Sequence, residues 1–237
     1  LQIIFFAIMF GFCLNFMGKK GQAVYEFFDV VGNVMIHMTQ VVMRYAPIGV
    51  FALMAAVVAQ HGLAVLLPLM KLIIASFIAT ALLVIVVYIP LVMFVIRIPV
   101  STYFKGIFEP WLIAFTTCSS AAAMAANLLA ARRLGSTNAI ASFAVPLGNT
   151  INMNGTAVYM GVCAVFAAQI YNLPLSLGDQ VIVVITGVLA AVGTAGVPGA
   201  GLIMSTLVFT QIGIPLEVIA LIAGVDRILD MIRTSIN

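Results

Sequence analysis

Charge is what this sequence has least of. Only 17 of its 237 residues are Asp, Glu, Lys or Arg, 7% of the chain, where a soluble domain carries about a quarter. With 64% hydrophobic residues and a mean hydropathy of +1.25, it has too little polar surface to coat a water-facing globule. An all-α integral membrane protein is expected, multi-pass in the cell membrane, with the lipid bilayer as solvent. The net charge of +3 is small and dispersed, which excludes nucleic acid as a partner. Cysteine is scarce too: Cys13, Cys118 and Cys163 are odd in number and far apart, giving neither a disulfide framework nor a zinc set. His37 and His61 stand alone. No zinc-ligand pair on a helix and no serine elbow is present, so an enzyme is not expected. The chain opens inside an apolar run at Leu1, without Met, and closes inside a helix at Asn237. A segment of a longer protein is the expectation.

What is there is apolar and interrupted. Leu1–Met17 is nearly one span, and Gly18–Gln22 a basic turn. Tyr25–Met43 repeats polar residues at helical spacing and leads to a notch at Pro47-Ile48-Gly49, the span Val50–Ala59 and a loop at 60–62. Leu63–Ile96 is one long span interrupted by Lys71 and Pro90, followed by a basic loop at 97–105.

Two later stretches are too short for the two crossings they contain, which need roughly 40 residues. Residues 106–131 break at Cys118-Ser119-Ser120, and residues 179–211 break at the glycine-rich run Gly193–Gly201. Between them, 139–171 is interrupted from Gly148 to Thr156. Paired, interrupted apolar segments point to a transporter site. If both short stretches are hairpins returning to their own side, Lys19, Lys20, Arg97, Lys105, Arg132 and Arg133 share one side, and the loops at 60–62, 171–179 and 211–217 on the other hold no Lys or Arg. That is the positive-inside pattern, with Ser119-Ser120 entering from the cytoplasm and the glycine-rich tip from outside.

The last segment, 214–237, reads as one helix with no break signal. Asp226, Asp230, Arg233 and Asn237 then fall within about 60° of one another. Such a stripe is costly in lipid unless it faces protein or water; the alternative is an ordinary helix end leaving the membrane. Arg233 offers a planar fork to a carboxylate and Asp230 an acceptor to an ammonium. Together they describe an acidic amino acid, unless the two simply neutralise each other at i, i+3. Thr150, Asn152, Asn154 and Thr156 add oxygens suited to a hard cation.

These residues carry a family likeness. Asn152-Met153-Asn154-Gly155-Thr156 resembles the Asn-Met-Asp-Gly-Thr signature of the dicarboxylate/amino acid:cation symporters, the glutamate transporter family. Gly193–Gly201 looks like the tip of its second re-entrant hairpin, Leu229–Thr234 with Asn237 like its last helix, and Tyr45–Ala52 matches another family segment. The likeness runs from Leu1 to Asn237. It implies an elevator-type fold, truncated at both ends. Residues 1–60 would be mostly scaffold and 61–105 the start of a transport domain. Its core, 106–237, would comprise the hairpin 106–131, broken helix 139–171, hairpin 179–211 and polar helix 214–237.

The resemblance further implies a homotrimer that couples sodium ions, or protons, to uptake of aspartate, glutamate or a C4-dicarboxylate. Arg233 and Thr156 would bind the side-chain carboxylate, and Asp230 and Thr234 the amino group. Asn237, Ser119-Ser120 and the tip from Val197 to Gly201 would surround the α-carboxylate. One sodium site would use Gly148, Asn152, Asn237 and structure beside Asp226. A second would use backbone around Thr150, Ala191, Val192 and Thr194, and a third the side chains of Asn152 and Asn154. The chain departs from the family pattern in Asn154, where Asp is usual. Cys118 and Met231 hold the two positions at which members place an Arg, and Ala121-Ala122-Ala123 replaces a Ser/Gly/Thr-rich tip. It also ends before a cation-ligating Asp, and the segment alone is not expected to transport. The alternatives are a channel, a neutral amino acid carrier, against which Arg233 argues, and an intramembrane aspartyl protease, against which Asp226 and Asp230 argue by sharing one helix.

Overall fold

The computed structural model describes residues 2–237, which are helical almost throughout. They divide into two compact units, 1–49 and 50–237. The first holds α1 (Gln2–Phe16) and α2 (Gln22–Met43), joined by a 3₁₀ turn at Gly18–Gly21, where the basic turn was expected. On α2 the polar residues pair along one face, Gln22 with Glu26 and Asn33 with Asp29, as i, i+4 neighbours do.

α3 (Ala46–His61) absorbs the expected notch, because Pro47 sits in its first turn, where a missing N–H costs nothing. The expected loop at 60–62 shrinks to Gly62. The long span is continuous but not uniform. α4 (Leu66–Leu83) widens into π-helical turns at Val84–Tyr88 and Leu91–Ile96 on either side of Pro90. Proline cannot donate to an i−4 carbonyl and crowds it, and a wider turn accommodates both effects. The basic loop is shorter than expected, since α5 (Val100–Thr117) starts just after Pro99.

Both short stretches fold as helix–turn–helix. α5 turns through Cys118-Ser119 into α6 (Ser120–Arg133), and α9 (Leu177–Val192) turns through 193–199 into α10 (Ala200–Gln211). At 16 and 12 residues, α9 and α10 are each shorter than a full crossing. The interrupted span is α7 (Asn138–Ile151) and α8 (Asn154–Ile170). Its break is narrower than the expected 148–156, because only Asn152 and Met153 leave helical geometry (ψ 63 and 65). Leu63–Ile96 and Asn138–Ile170 are long and apolar enough to cross a membrane.

The last helix departs from expectation. It is α11 (Val218–Ala223) and α12 (Asp226–Ile236), with the α-ladder interrupted at Gly224-Val225. The chain tightens there: Val225 N–H reaches Ile222 O and Ile228 N–H reaches Val225 O, both at i−3. Gly224 is pressed against Met54, and a side chain would collide with that sulfur.

α8 is the centre of the larger unit. Tyr159, Met160, Cys163, Ala164 and Ala167 are all buried against Leu69 and Leu72 of α4, Val183 and Ala190 of α9, Phe209 of α10 and Leu229 of α12. Small residues line this crossing: Gly187 of α9 faces Met160, and even a Cβ there would make ordinary contact at 3.6 Å. In lipid such close packing, rather than escape from water, holds helices together.

Candidate ligand site at two helix tips

The polar stripe of α12 faces protein, one of the two settings in which it is tolerated. Asp226, Asp230 and Arg233 are all buried. Arg233 Nη2 lies 2.7 Å from Asp230 Oδ1, and Nη1 lies 3.9 Å from Asp226 Oδ1. The i, i+3 pairing weighed above is therefore present. It is not self-sufficient. Asp230 also accepts from Thr234 Oγ1 and from the Gly199 N–H, each at 2.8 Å. Tyr159 donates to Asp226 Oδ1 at 2.8 Å and lays its ring 4.5 Å from the guanidinium carbon, a cation–π contact. Two carboxylates face one guanidinium, and still Arg233 Nη1 has no hydrogen-bond partner. A buried, unpaired donor on a charged group is costly and marks where an acceptor belongs.

Two glycines bring the backbone this close. A Cβ on Gly201 would collide with the Arg233 guanidinium, and one on Gly155 with the Arg233 carbonyl oxygen. Thr156 and Asn237 join α8 to α12 through the Thr156 N–H to Asn237 Oδ1 (3.2 Å) and Asn237 Nδ2 to Thr156 Oγ1 (2.8 Å).

The two tips meet over this cluster. Cys118 takes a left-handed turn (φ 55°) and Ser119 an extended one. Ser119 caps α6 by accepting the Ala122 N–H, and its hydroxyl donates to the Gly196 carbonyl at 2.8 Å. The Ala121 N–H reaches the same carbonyl at 3.2 Å. The first turn of α6 thus faces an acceptor, as helix N-termini favour.

Between tips, broken helix and α12 lies a small, partly open space of ≈ 10 Å³, about what one water needs. Of the expected ligand residues, Ser120, Thr156, Val197 and Gly201 border it, as do Asp230, Arg233, Thr234 and Asn237. Ser119 is one bond away, on Gly196. Cys118, read from sequence as a packing residue, also borders the space, with Met153 and Gly196. Tyr159 escaped the reading altogether. Its signal was a phenol in the middle of an apolar helix, where a hydroxyl needs a partner.

The expected cation residues separate into groups. Gly148, Asn152 and Asn237 border one space of ≈ 370 Å³ beside the site. Asn154 Nδ2 donates to the Tyr88 hydroxyl at 3.0 Å. Thr150 is exposed and its hydroxyl donates to the Pro146 carbonyl. Thr194 is buried, donating from Oγ1 to Ala190 O and from N–H to Ala191 O, and Val192 ends α9. Among the described residues no three His, Cys, Asp or Glu gather as a metal cluster.

An apolar helical chain that buries a guanidinium and two carboxylates beneath two helix tips has the features of a membrane transport protein. A profile of the sodium:dicarboxylate symporter family matches residues 1–237, and the chain belongs to that family, which consists of integral membrane transporters, not enzymes. It is 37% identical over 237 residues to a proton/glutamate-aspartate symporter of Bacillus subtilis (strain 168), covering all of this chain and 57% of that protein. It is 36% identical over 238 residues to a proton/glutamate-aspartate symporter of Escherichia coli (strain K12), covering 100% and 54%. It is 34% identical over 240 residues to excitatory amino acid transporter 2 of Mus musculus, covering 100% and 42%. The chain spans about half the length of the curated relatives it matches.

Proposed function

We propose that the protein containing this chain is a secondary active symporter that takes up aspartate, glutamate or a C4-dicarboxylate, driven by sodium or protons. The observation that carries the reading is Arg233 Nη1, buried and without a hydrogen bond, on a residue that lines the small space between two helix tips. A ligand carboxylate supplies the acceptor that this donor lacks. Thr156 sits beside it for the same carboxylate. Asp230 and Thr234 receive the ammonium, and Asn237, Ser119, Ser120 and the segment Val197–Gly201 surround the α-carboxylate. With ≈ 10 Å³ between the tips, the space is too small for an amino acid, and on this reading Gly196 parts from Ser119 to admit one.

Sodium is a co-substrate in this reading. The neutral oxygens of Gly148, Asn152 and Asn237 border one space, and such hard donors suit sodium. Thr150, Ala191, Val192 and Thr194 would form a second site, and Asn152 with Asn154 a third. The names of relatives include both proton/glutamate-aspartate and proton/sodium-glutamate symporters, so either ion can be the driver. Two re-entrant hairpins (106–131 and 179–211), a broken helix and an elevator motion of 106–237 within a homotrimer complete the proposal. The short helices α9 and α10 support the second hairpin.

The test is uptake of labelled L-aspartate into proteoliposomes holding the full-length protein, under an inward sodium gradient and under a proton gradient alone. Saturable uptake that one gradient drives is expected. Arg233→Cys should abolish it and favour neutral amino acids. Undiminished aspartate affinity in that variant, or substrate-independent, unsaturable current, would overturn the proposal, the latter in favour of a channel.

A further inference from the structure

α12 carries four charged residues. Three are spent on one another in the buried cluster. The fourth, Arg227, is half-buried on a different face, and the site described above has no use for it. Its guanidinium Nη2 donates to the backbone carbonyl of Thr116 at 3.4 Å, 111 residues away in sequence. Thr116 is the next-to-last residue of α5. In lipid a charged side chain has to find a partner, and backbone carbonyls at a helix end are one of the few on offer.

The place of that contact gives it meaning. The last carbonyls of α5 have no following turn to donate to them, and they carry the negative end of the helix dipole. Ala114 O is taken by the Cys118 N–H and Phe115 O by the Cys118 thiol at 3.9 Å. Thr116 O is taken by Arg227. Two residues later the chain makes a left-handed turn on a residue that is not glycine (Cys118, φ 55°), a conformation that persists only where neighbours hold it. Next comes Ser119, which orients α6 and meets Gly196. Arg227 lies less than one turn before Asp230 on the same helix. One helix therefore holds the ligand-facing charges and also reaches the end of α5 that precedes the tip.

We propose that Arg227 is a positioning residue: by binding the Thr116 carbonyl it sets the height of the Cys118-Ser119-Ser120 tip along α12, and so aligns the first turn of α6 with Asp230 and Arg233. The assignment rests on the symporter reading above for what the alignment serves. It does not rest on it for the contact itself.

The experiment uses full-length protein in proteoliposomes with every thiol but Cys118 replaced. Two quantities are measured on Arg227→Gln and Arg227→Lys: KM and maximal rate for L-aspartate, and the rate at which a maleimide labels Cys118, which is 1% exposed. Arg227→Gln should raise KM about threefold with little loss of maximal rate, the scale expected for one ordinary hydrogen bond, and should speed Cys118 labelling several-fold. Arg227→Lys, which still presents a cationic donor, should restore both most of the way. Unchanged KM and labelling in Arg227→Gln would overturn the proposal. So would a raised KM with unchanged labelling, since the charge would then act on the anion and not on the tip. If Arg227→Gln does not assemble, Arg227→Lys decides by the same two readouts, near-parental values supporting the contact and unprotected Cys118 refuting it. Absence of saturable aspartate uptake in the parent would sink the symporter reading, and the labelling comparison would still stand or fall by itself.

Discussion

Thr156 and Asn237 hold each other by a reciprocal pair of hydrogen bonds, backbone amide to side-chain oxygen at 3.2 Å and side-chain amide to hydroxyl at 2.8 Å. The pair closes the gap between the start of α8 and the end of α12, the two elements that flank the Arg233 guanidinium. Thr156→Val keeps the shape and deletes the acceptor, leaving the Asn237 amide unpaired. The expected outcome is a ligand affinity lower by about 1–3 kcal/mol, roughly 5- to 150-fold. Calorimetric titration of the purified full-length protein with L-aspartate measures it, and unaltered affinity would show that the bridge does not support the site.

Gly201 is the tightest point around Arg233. Gly201→Ala puts a methyl group into the guanidinium, and overpacking of this kind typically costs about 1–3 kcal/mol. Uptake should fall steeply, because the displaced group is the proposed ligand anchor. Gly187, where a Cβ would make only ordinary contact with Met160 at 3.6 Å, serves as the control: Gly187→Ala should transport as the parent does. Equal activity of the two variants contradicts the packing described here.

Tyr159 does two things for the cluster, and one substitution separates them. Tyr159→Phe keeps the ring beneath Arg233 and removes the proton given to Asp226. Asp226 is 6% exposed, so losing that donor should destabilise the protein by about 1–3 kcal/mol. Tyr159→Leu removes the ring as well and should lower the melting temperature in detergent further. If the two variants melt together, the ring contributes nothing.

The start of α9 provides a pH-dependent contribution outside the spans. Ser176 and Asp179 form a reciprocal cap, with the Ser176 hydroxyl and backbone N–H both donating to Asp179 Oδ2, at 2.7 and 2.9 Å. The hydroxyl first, then the amide, hold the Asp179 carboxyl below the usual range. A carboxyl depressed in the folded state stabilises it above the unfolded value, about pH 3.9, and that contribution is lost as pH falls through the lower folded value. Ser176→Ala should therefore lower the melting temperature at pH 7 and narrow its difference from the parent in strong acid. A difference that is constant with pH would mean that the cap has no ionic component.

Much of this arrangement is legible in sequence because lipid makes polar residues conspicuous. Asp226, Asp230 and Arg233 stand out against an apolar background, and their spacing alone puts them on one face. The two helix–turn–helix units show in their lengths and in Ser119-Ser120 and Gly193–Gly201. What sequence hides depends on partners distant in the chain. The need for glycine at 224 comes from Met54, some 170 residues earlier, whose sulfur leaves no room for a Cβ. The break at Asn152-Met153 is narrower than its polar run because Gly148, Asn149 and Thr150 complete a helical turn, and Thr150 satisfies its hydroxyl on the Pro146 carbonyl. Tyr159 has no polar neighbour in sequence, and its role follows only from the crossing of α8 with α12.

The Gly196 carbonyl, resting on Ser119 and the Ala121 amide, has a thermodynamic consequence. A site whose donors stood bare would bind an anion tightly and release it slowly. Here the protein's own peptide oxygen already occupies the first turn of α6, so a carboxylate entering the proposed site displaces an internal competitor. Binding becomes an exchange of a neutral acceptor for an anionic one, and only the difference between them is gained. On the proposed function, affinity would be lower than bare α6 amides give, and the same oxygen would be at hand to replace the ligand as it leaves.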